Sequence, residues 1–330
     1  MRILVTGAAG MLGSGLVPAL VRAGHEVTAT DIDLRARTPW GPGMPEIRRL
    51  DVRRWDDVRG GMDRYQPELV CHLAALTDLE YCDAHESDAY ATNTVGTKFA
   101  AMECRRRGIP MVYISTAGVF NGLKDTPYHE WDDPCPLNTY GKTKYEGELM
   151  VERFTDEHFI VRAGWMVGGG RNKDHKFVAK ILKQIDDGSS RLYAVGDKFG
   201  TPTYVPDFAE CFLGLIQSGS YGRYHMACEG RGSRLDVAKL IVKALGRDDI
   251  AVIDVTSDHF AAEYPSIRPR SEIMQNMHLQ LQGLNTMRPW QEAVEEYVRS
   301  AFGESLIPRQ SDPADGVVLT PVDVSVKEGV

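Results

Sequence analysis

Tyr140 and Lys144 stand four residues apart in the run Tyr140-Gly141-Lys142-Thr143-Lys144, a spacing that sets two side chains on one face of a helix. A phenol with a pKa of about 10 is a poor acid at neutral pH, and an ammonium beside it favours the phenolate and draws that value down. Such a pair can hand a proton to a substrate oxygen. Thr116 closes the apolar run Met111–Ser115 and offers a hydroxyl to hold that oxygen. The plain alternative is an exposed helical pair and a turn threonine, so the surroundings must decide.

A second chemistry lies at the start of the chain. Ile3-Leu4-Val5 runs directly into Thr6-Gly7-Ala8-Ala9-Gly10-Met11-Leu12-Gly13, with glycines three apart. Gly7, Gly10 and Gly13 allow a tight turn, close approach of a pyrophosphate, and packing of helix on strand. Met11 and Leu12 begin the helix, whose unpaired N–H groups and positive dipole end suit phosphates. A tight strand-to-helix turn without a ligand is the plainer alternative. Asp31 ends the next strand, at the offset where a carboxylate bonds the adenosine ribose hydroxyls. It would repel a 2′-phosphate, which favours NAD(H) over NADP(H). Arg35 and Arg37 follow closely and would reverse that preference if they folded over the ribose.

The elements that must hold these residues alternate. Strands are expected at Ile3–Val5, Val27–Asp31, Ile47–Leu50, Leu69–Leu73, Met111–Ser115 and Phe159–Arg162. Between them, helical spacing covers Met11–Ala23, Trp55–Tyr65, most of Asp83–Arg107 and Thr139–Phe154. This is the pattern of an α/β fold with a doubly wound parallel sheet, the Rossmann arrangement. We expect that domain over residues 1–165, carrying Tyr140 and Lys144. A smaller C-terminal α/β substrate-binding domain is expected over 166–304, with some elements free to return to the first sheet, and a tail over 305–330. Helices are expected at Lys176–Ile185, Asp207–Gln217, Leu235–Leu245 and Pro289–Phe302, and a strand at Gly222–Met226. Ser233 and Asp236 suggest a capping box.

Composition narrows the function classes. The 330 residues carry 38 Lys+Arg against 46 Asp+Glu, a net charge of -8, and only Arg105–Arg107 forms a basic run. That balance speaks against a nucleic-acid partner. No apolar stretch is long enough for a membrane span, and the N-terminus shows no cleavage site for a signal peptide. Six scattered cysteines include no CxxC and no His spacing for zinc, so we expect free thiols, no metal and a cytoplasmic location.

The quoted motifs, with Asp51-Val52, His72-Leu73-Ala74-Ala75, Asn93, Gly96-Thr97 and Ser115-Thr116, resemble those of the extended short-chain dehydrogenase/reductases. The resemblance implies that Asp51 and Val52 meet adenine, and that Leu73, Ala74, Ala75 and Asn93 line the cofactor. It also implies that Thr116, Tyr140 and Lys144 form the catalytic triad, with Lys144 holding the nicotinamide ribose. In that family the helices at Asp83–Arg107 and around Tyr140 often build a homodimer interface.

Tyr113–Gly122, Pro136–Tyr140, Arg162-Ala163-Gly164-Trp165, Phe199–Thr203 and Arg268-Pro269-Arg270 are similar to the dTDP-4-dehydrorhamnose reductase subgroup. This likeness implies an oxidoreductase that reduces a 4-keto nucleotide-diphosphate sugar, with Tyr140 giving the proton. Thr77, Ala117, Gly118 and Trp165 would line the sugar, and Arg171, Lys173, Arg268 and Arg270 would meet its diphosphate. The subgroup usually carries Asp-Tyr where this chain has Ala117-Gly118, so a differently substituted sugar is expected, and elimination chemistry is disfavoured. Two alternatives share the fold. One is a nucleotide-sugar 4-epimerase that retains its NAD. The other is a non-catalytic regulatory subunit like that of methionine adenosyltransferase.

Overall fold

β1 (Arg2–Thr6) is buried at every position after the first, as a strand covered on both faces must be. The computed structural model describes residues 1–34 and 40–306; Arg35, Arg37 and the tail beyond 306 lie outside the described residues. After β1 come α1 (Met11–Arg22), β2 (Glu26–Asp31), β3 (Arg48–Arg49), α2 (Trp55–Tyr65) and β4 (Leu69–His72). Next are α3 (Leu79–Ala84), α4 (Glu86–Ala89), a π-helical stretch Tyr90–Gly96 and α5 (Thr97–Arg107). Then β5 (Met111–Thr116), a 3-10 turn Ala117–Val119, α6 (Thr139–Phe154) and β6 (His158–Ala163) complete the first half.

The segment expected as mostly one helix over Asp83–Arg107 is therefore broken. His85 leaves helical geometry, with φ −133° and ψ 59°. The π-helical stretch then carries Asn93 inward, where it is fully buried.

The second half adds β7 (Trp165–Val167), α7 (Gly170–Lys173), α8 (Phe177–Asp186), β8 (Arg191–Val195), β9 (Phe199–Gly200) and β10 (Pro202–Tyr204). α9 (Val205–Ser218), β11 (Gly222–Met226), β12 (Gly232–Ser233), α10 (Arg234–Ala244) and β13 (Ala251–Val255) follow, then β14 (Ser271–Glu272), α11 (Met277–Leu281) and α12 (Trp290–Leu306). The capping box forms at the start of α10, with Ser233 and Asp236 satisfying each other's backbone N–H groups.

Seven strands make the main sheet in the order β11-β6-β5-β4-β1-β2-β3, every pairing parallel. The strand order reverses between β1 and β4, so a crevice opens beyond their carboxyl ends. The chain after residue 166 contributes to both parts of the molecule. β11 extends the main sheet beside β6, whereas β12-β9-β14, β10-β7 and β13-β8 form small separate sheets. One apolar core runs from Ile3, Leu16 and Val161 to Ile181, Phe208, Ile241 and Val298, joining the two halves. α9 lies so close to α1 that a Cβ on Gly15 would stand 2.4 Å from Val205 Cγ1. Among the described residues no helix is long and apolar enough to cross a membrane.

Candidate active site

The crevice is a cleft of about 1510 Å³, larger than a usual small-molecule pocket and roomy enough for two extended ligands. Its first end is built by the glycine loop. Gly7 has φ +70°, and a Cβ there would lie 2.5 Å from Ala74 N, so only glycine lets the β1 and β4 turns approach this closely. A Cβ on Gly13 would come within 2.2 Å of Ala8 O. Gly10 occupies the N-cap of α1 without any side-chain cap, so the first N–H groups of that helix remain open to an anion. Met11, Leu12, Asp31, Asp51, Val52, Leu73, Ala74 and Ala75 line the same end. Asp31 is partly committed, since its Oδ2 accepts from Ala9 N at 3.0 Å and its Oδ1 from Asp33 N at 3.1 Å. Arg53 grips Asp51 at 2.9 and 2.8 Å and holds its carboxyl below the ordinary range. These residues fit a dinucleotide: an uncapped helix start, glycines at the closest approaches, and carboxylates at the strand ends.

Thr116 and Tyr140 meet farther along the cleft. Asn138 caps α6 by accepting from Gly141 N at 2.8 Å, and its Nδ2 donates to Ile267 O at 2.8 Å. That residue therefore ties the start of the Tyr140 helix to the segment leading into β14. A Cβ on Gly141 would stand 2.3 Å from Gly118 O, which shows how tightly α6 presses on the turn after β5. Thr116 Oγ1 accepts from Gly118 N at 3.0 Å.

Burial pushes the Tyr140 phenol up to about 12, opposed by its hydrogen bond with Thr116. The depression expected from Lys144 is not found here. Lys144 is itself buried, and the loss of water pushes its ammonium down to about 7, with Glu148 pulling the other way. A group near half-protonation is a weaker cation than an exposed lysine, and its Nζ sits 4.1 Å from the centroid of the Tyr113 ring.

Behind Lys144 lies a charge system in which Glu148 and Arg162 are fully buried and the partly exposed Arg223 reaches the same carboxylate at 3.7 Å. Arg162 donates to Glu148 at 2.9 and 2.7 Å, and the Ser115 hydroxyl donates to the same carboxylate. His72 bridges Thr6 at 2.9 Å and Thr97 at 3.2 Å, and its pKa is pushed down to about 3, mainly by burial, with Lys144 adding to it. A neutral imidazole thus pins β4 to β1 and α5.

The opposite wall comes from the second half of the chain. Trp165 donates its indole N–H to Glu272 Oε2 at 2.8 Å, and Arg234 lies over the Trp165 ring with its guanidinium carbon 3.8 Å from the centroid. Lys173, Lys176, Lys198 and Arg268 also line this side, which gives it a cationic surface toward the cleft.

The profile of the family described as RmlD substrate binding domain matches residues 1–302. The chain belongs to this family. It is 32% identical over 299 residues to the spore coat polysaccharide biosynthesis protein SpsK of Bacillus subtilis, covering 90% of this chain and 97% of that one. It is 31% identical over 316 residues to dTDP-4-dehydrorhamnose reductase of Mycobacterium tuberculosis, covering 94% and 96%. With dTDP-4-keto-6-deoxy-D-glucose reductase of Streptomyces niveus it shares 33% over 299 residues, covering 89% and 95%. Among solved structures, a dTDP-4-dehydrorhamnose reductase of Clostridium acetobutylicum superposes with a TM-score of 0.80 at 32% identity, covering 90% of this chain and 98% of that one. The Bacillus anthracis dTDP-4-dehydrorhamnose reductase in complex with NADP gives 0.78 at 29%, covering 90% and 98%. The doubly wound fold of this family member is the one those structures have.

Not every residue singled out from sequence reaches the cleft of this RmlD-family chain. Thr77, Gly118, Trp165, Lys173 and Arg268 line it, with Arg268 also held by Glu80 at 2.7 Å. Four others are corrected by the structure. Asn93 is buried behind the cleft, accepting from Leu76 N at 2.8 Å and donating to Leu76 O at 3.0 Å, so it shapes the loop after β4 from behind. Ala117 turns into a small apolar cluster with Ala227 and Met274. Arg171 pairs with Asp186 at 3.5 Å and lies over Phe302, on the outer side of α7. Arg270 is exposed and pairs with Asp125 at 3.4 Å. Both arginines precede β14 in irregular backbone around Pro269, so the alternation of a strand does not set which way they face. Sequence reasoning did not single out Glu272, Arg234 or Glu148, and it gave no role to Asn138 or Arg162, which lie inside quoted motifs. Glu272 lies two residues past a flagged motif and Arg234 one past a flagged cap; only tertiary packing joins them.

Proposed function

We propose that the chain reduces the ketone of a 4-keto nucleotide-diphosphate sugar, with Tyr140 as proton donor. Membership of the family makes it an oxidoreductase of nucleotide sugars that uses a nicotinamide cofactor. The observation that carries the finer reading is the contact of Thr116 with Tyr140 in the cleft, with Lys144 buried one helical turn away and the uncapped glycine loop at the other end. Gly7, Gly10, Met11, Leu12, Gly13, Asp31, Asp51, Val52 and the Leu73–Ala75 turn would hold the dinucleotide. When bound there, the reduced dinucleotide would supply the hydride that the carbonyl carbon takes up. Thr116 holds the carbonyl oxygen against Tyr140. A phenol kept neutral by burial is a competent donor, because its proton stays in place until the oxygen gains charge. Lys144 then stabilises the phenolate as it forms. Lys173, Lys176, Lys198 and Arg268 meet the sugar diphosphate, and Trp165 gives the ring an apolar wall.

Asp31 favours NAD(H), since its free lone pairs suit two ribose hydroxyls and its charge opposes a 2′-phosphate. The test is turnover of 4-keto-6-deoxyhexose nucleotides with added NADH or NADPH, followed by nicotinamide absorbance. Stoichiometric oxidation with one reduced sugar per cofactor supports the reading. Sugar interconversion without added cofactor, by protein that already carries NAD, would refute it in favour of an epimerase.

A further inference from the structure

The carboxylate of Glu272 lines the cleft from β14, on the wall built by the second half of the chain. Its Oε2 is held by Trp165 Nε1 at 2.8 Å, while its Oε1 has no hydrogen-bond partner among the described residues. A Cβ built on Gly118 points at this oxygen from 3.6 Å and at Thr116 Oγ1 from 3.4 Å. The Thr116 hydroxyl and the open carboxylate oxygen therefore converge on one small volume above Gly118. Position 118 leaves that volume empty, and β14 delivers an acceptor to it from the opposite side.

The surroundings make the acceptor specific. Burial raises the Glu272 carboxyl above its ordinary value, and Arg234, Arg268 and Lys198 pull it back toward the ionised form. Trp165 is wedged between Arg234 and Gly200, where a Cβ would fall 2.3 Å from the indole. The indole therefore cannot swing away, and the carboxylate that it holds is fixed in direction.

A 4-keto-6-deoxyhexose has two carbons flanking its carbonyl. C5 bears a methyl group and the ring oxygen, so C3 alone presents a hydroxyl next to the reacting centre. Resting on the reduction proposed above, we propose that Glu272 is the specificity-determining acceptor for the C3 hydroxyl. Thr116 takes the carbonyl oxygen and Glu272 the neighbouring hydroxyl, which fixes which face of the ketone is presented. Trp165 is the positioning residue for Glu272. An analogue without that hydroxyl leaves a carboxylate oxygen facing the cleft unpaired, and sites of that kind discriminate strongly.

The test compares wild type, Glu272→Gln and Glu272→Ala. Gln keeps the volume and can still accept from Trp165, but turns a donor toward the sugar. The first measurement is kcat/KM for a 4-keto-6-deoxyhexose nucleotide and its 3-deoxy counterpart. Wild type should prefer the hydroxylated sugar by on the order of 10²-fold. Both variants should bring that ratio to within about fivefold, while cofactor binding, followed by nicotinamide fluorescence, stays unchanged. The second measurement is calorimetric binding of the nucleoside diphosphate and of the corresponding 3-hydroxy sugar nucleotide. The gain from adding the sugar should be lost in the variants, with affinity for the bare diphosphate intact. A wild-type protein that binds the sugar nucleotide without reducing it overturns the reductase reading alone, and the binding comparison still decides the role of Glu272. An unchanged sugar preference in both variants, or an equal loss for both sugars, overturns the role of Glu272 alone. Adding Gly118→Asp to Glu272→Ala returns a carboxylate to the same volume and should restore part of the preference.

Discussion

The Glu148–Arg162 pair offers a quantitative test of how the site is held. Both side chains have no exposure, and two hydrogen bonds of 2.9 and 2.7 Å join them. Glu148→Gln keeps the shape and removes the charge, which leaves the guanidinium buried without its counterion. Breaking a buried pair from one side costs about 3–5 kcal/mol. The second effect is electrostatic. The Glu148 charge is the one that raises the Lys144 pKa against burial. Without it, Arg162 stands uncompensated and the Lys144 pKa should fall further below its value of about 7. Urea denaturation with a constant m value measures the first effect. The pH profile of kcat/KM for the cofactor, which reports free-enzyme ionisations, measures the second. If protonated Lys144 is required, activity falls as pH rises through about 7, and in the variant that fall moves to lower pH. Pairing Glu148→Gln with Arg162→Met should recover most of the stability, because the orphaned charge is gone. A single-variant cost below about 1 kcal/mol, together with an unmoved pH midpoint, would refute both the buried pair and its coupling to Lys144.

Three further outcomes are expected. Tyr140→Phe should lower kcat by on the order of 10²–10⁴ while cofactor still binds; near-normal turnover would remove Tyr140 from proton transfer. Asp31→Ala should weaken NADH binding by about 1–3 kcal/mol and NADPH binding less, so an unchanged ratio of the two affinities would exclude Asp31 from ribose recognition. Lys144 has its pKa lowered on folding from 10.5 to about 7, so between those values the unfolded chain holds a proton that the native one lacks. Stability from this residue therefore rises with pH across that window, by ~1.4 kcal/mol per unit, and Lys144→Met should flatten the slope in denaturation curves taken at several pH values.

The first half of the fold was legible because its elements are long and periodic. α2 and α6 have the expected bounds, Trp55–Tyr65 and Thr139–Phe154, and β11 the expected Gly222–Met226. The short strands of the second half were not. β9, β12 and β14 have two residues each, too few for any alternation to register, and they exist only because each finds a partner across the chain. The π-helical stretch is a similar case. Nothing in Tyr90–Gly96 forbids an α-helix, and the distortion is accompanied by Asn93 bonding Leu76 through both ends of its amide.

The site divides along the same line. The placement of Gly7, Gly13, Thr116, Tyr140 and Lys144 in the cleft is readable because it is set locally: by a turn, a strand end, one face of one helix. The expected effect of Lys144 on Tyr140 was not readable, since helical spacing sets which side chains share a face and says nothing of the water they lose. Burial reverses the simple argument, raising the phenol and lowering the ammonium together. Glu272 is the fullest example. Its neighbours in the cleft, Trp165, Arg234 and Gly118, come from β7, α10 and the turn after β5, separated by more than a hundred residues at the extremes. Of the departure at Ala117-Gly118, only Gly118 leaves space in the cleft, beside Thr116 Oγ1. What borders that space is set by the return of the chain through β14, where a two-residue strand places one carboxylate on the wall facing Thr116. In the reduction proposed above, substrate choice rests on residues whose meaning is fixed by the strand they pair with, while proton transfer rests on residues whose meaning is fixed by their own helix.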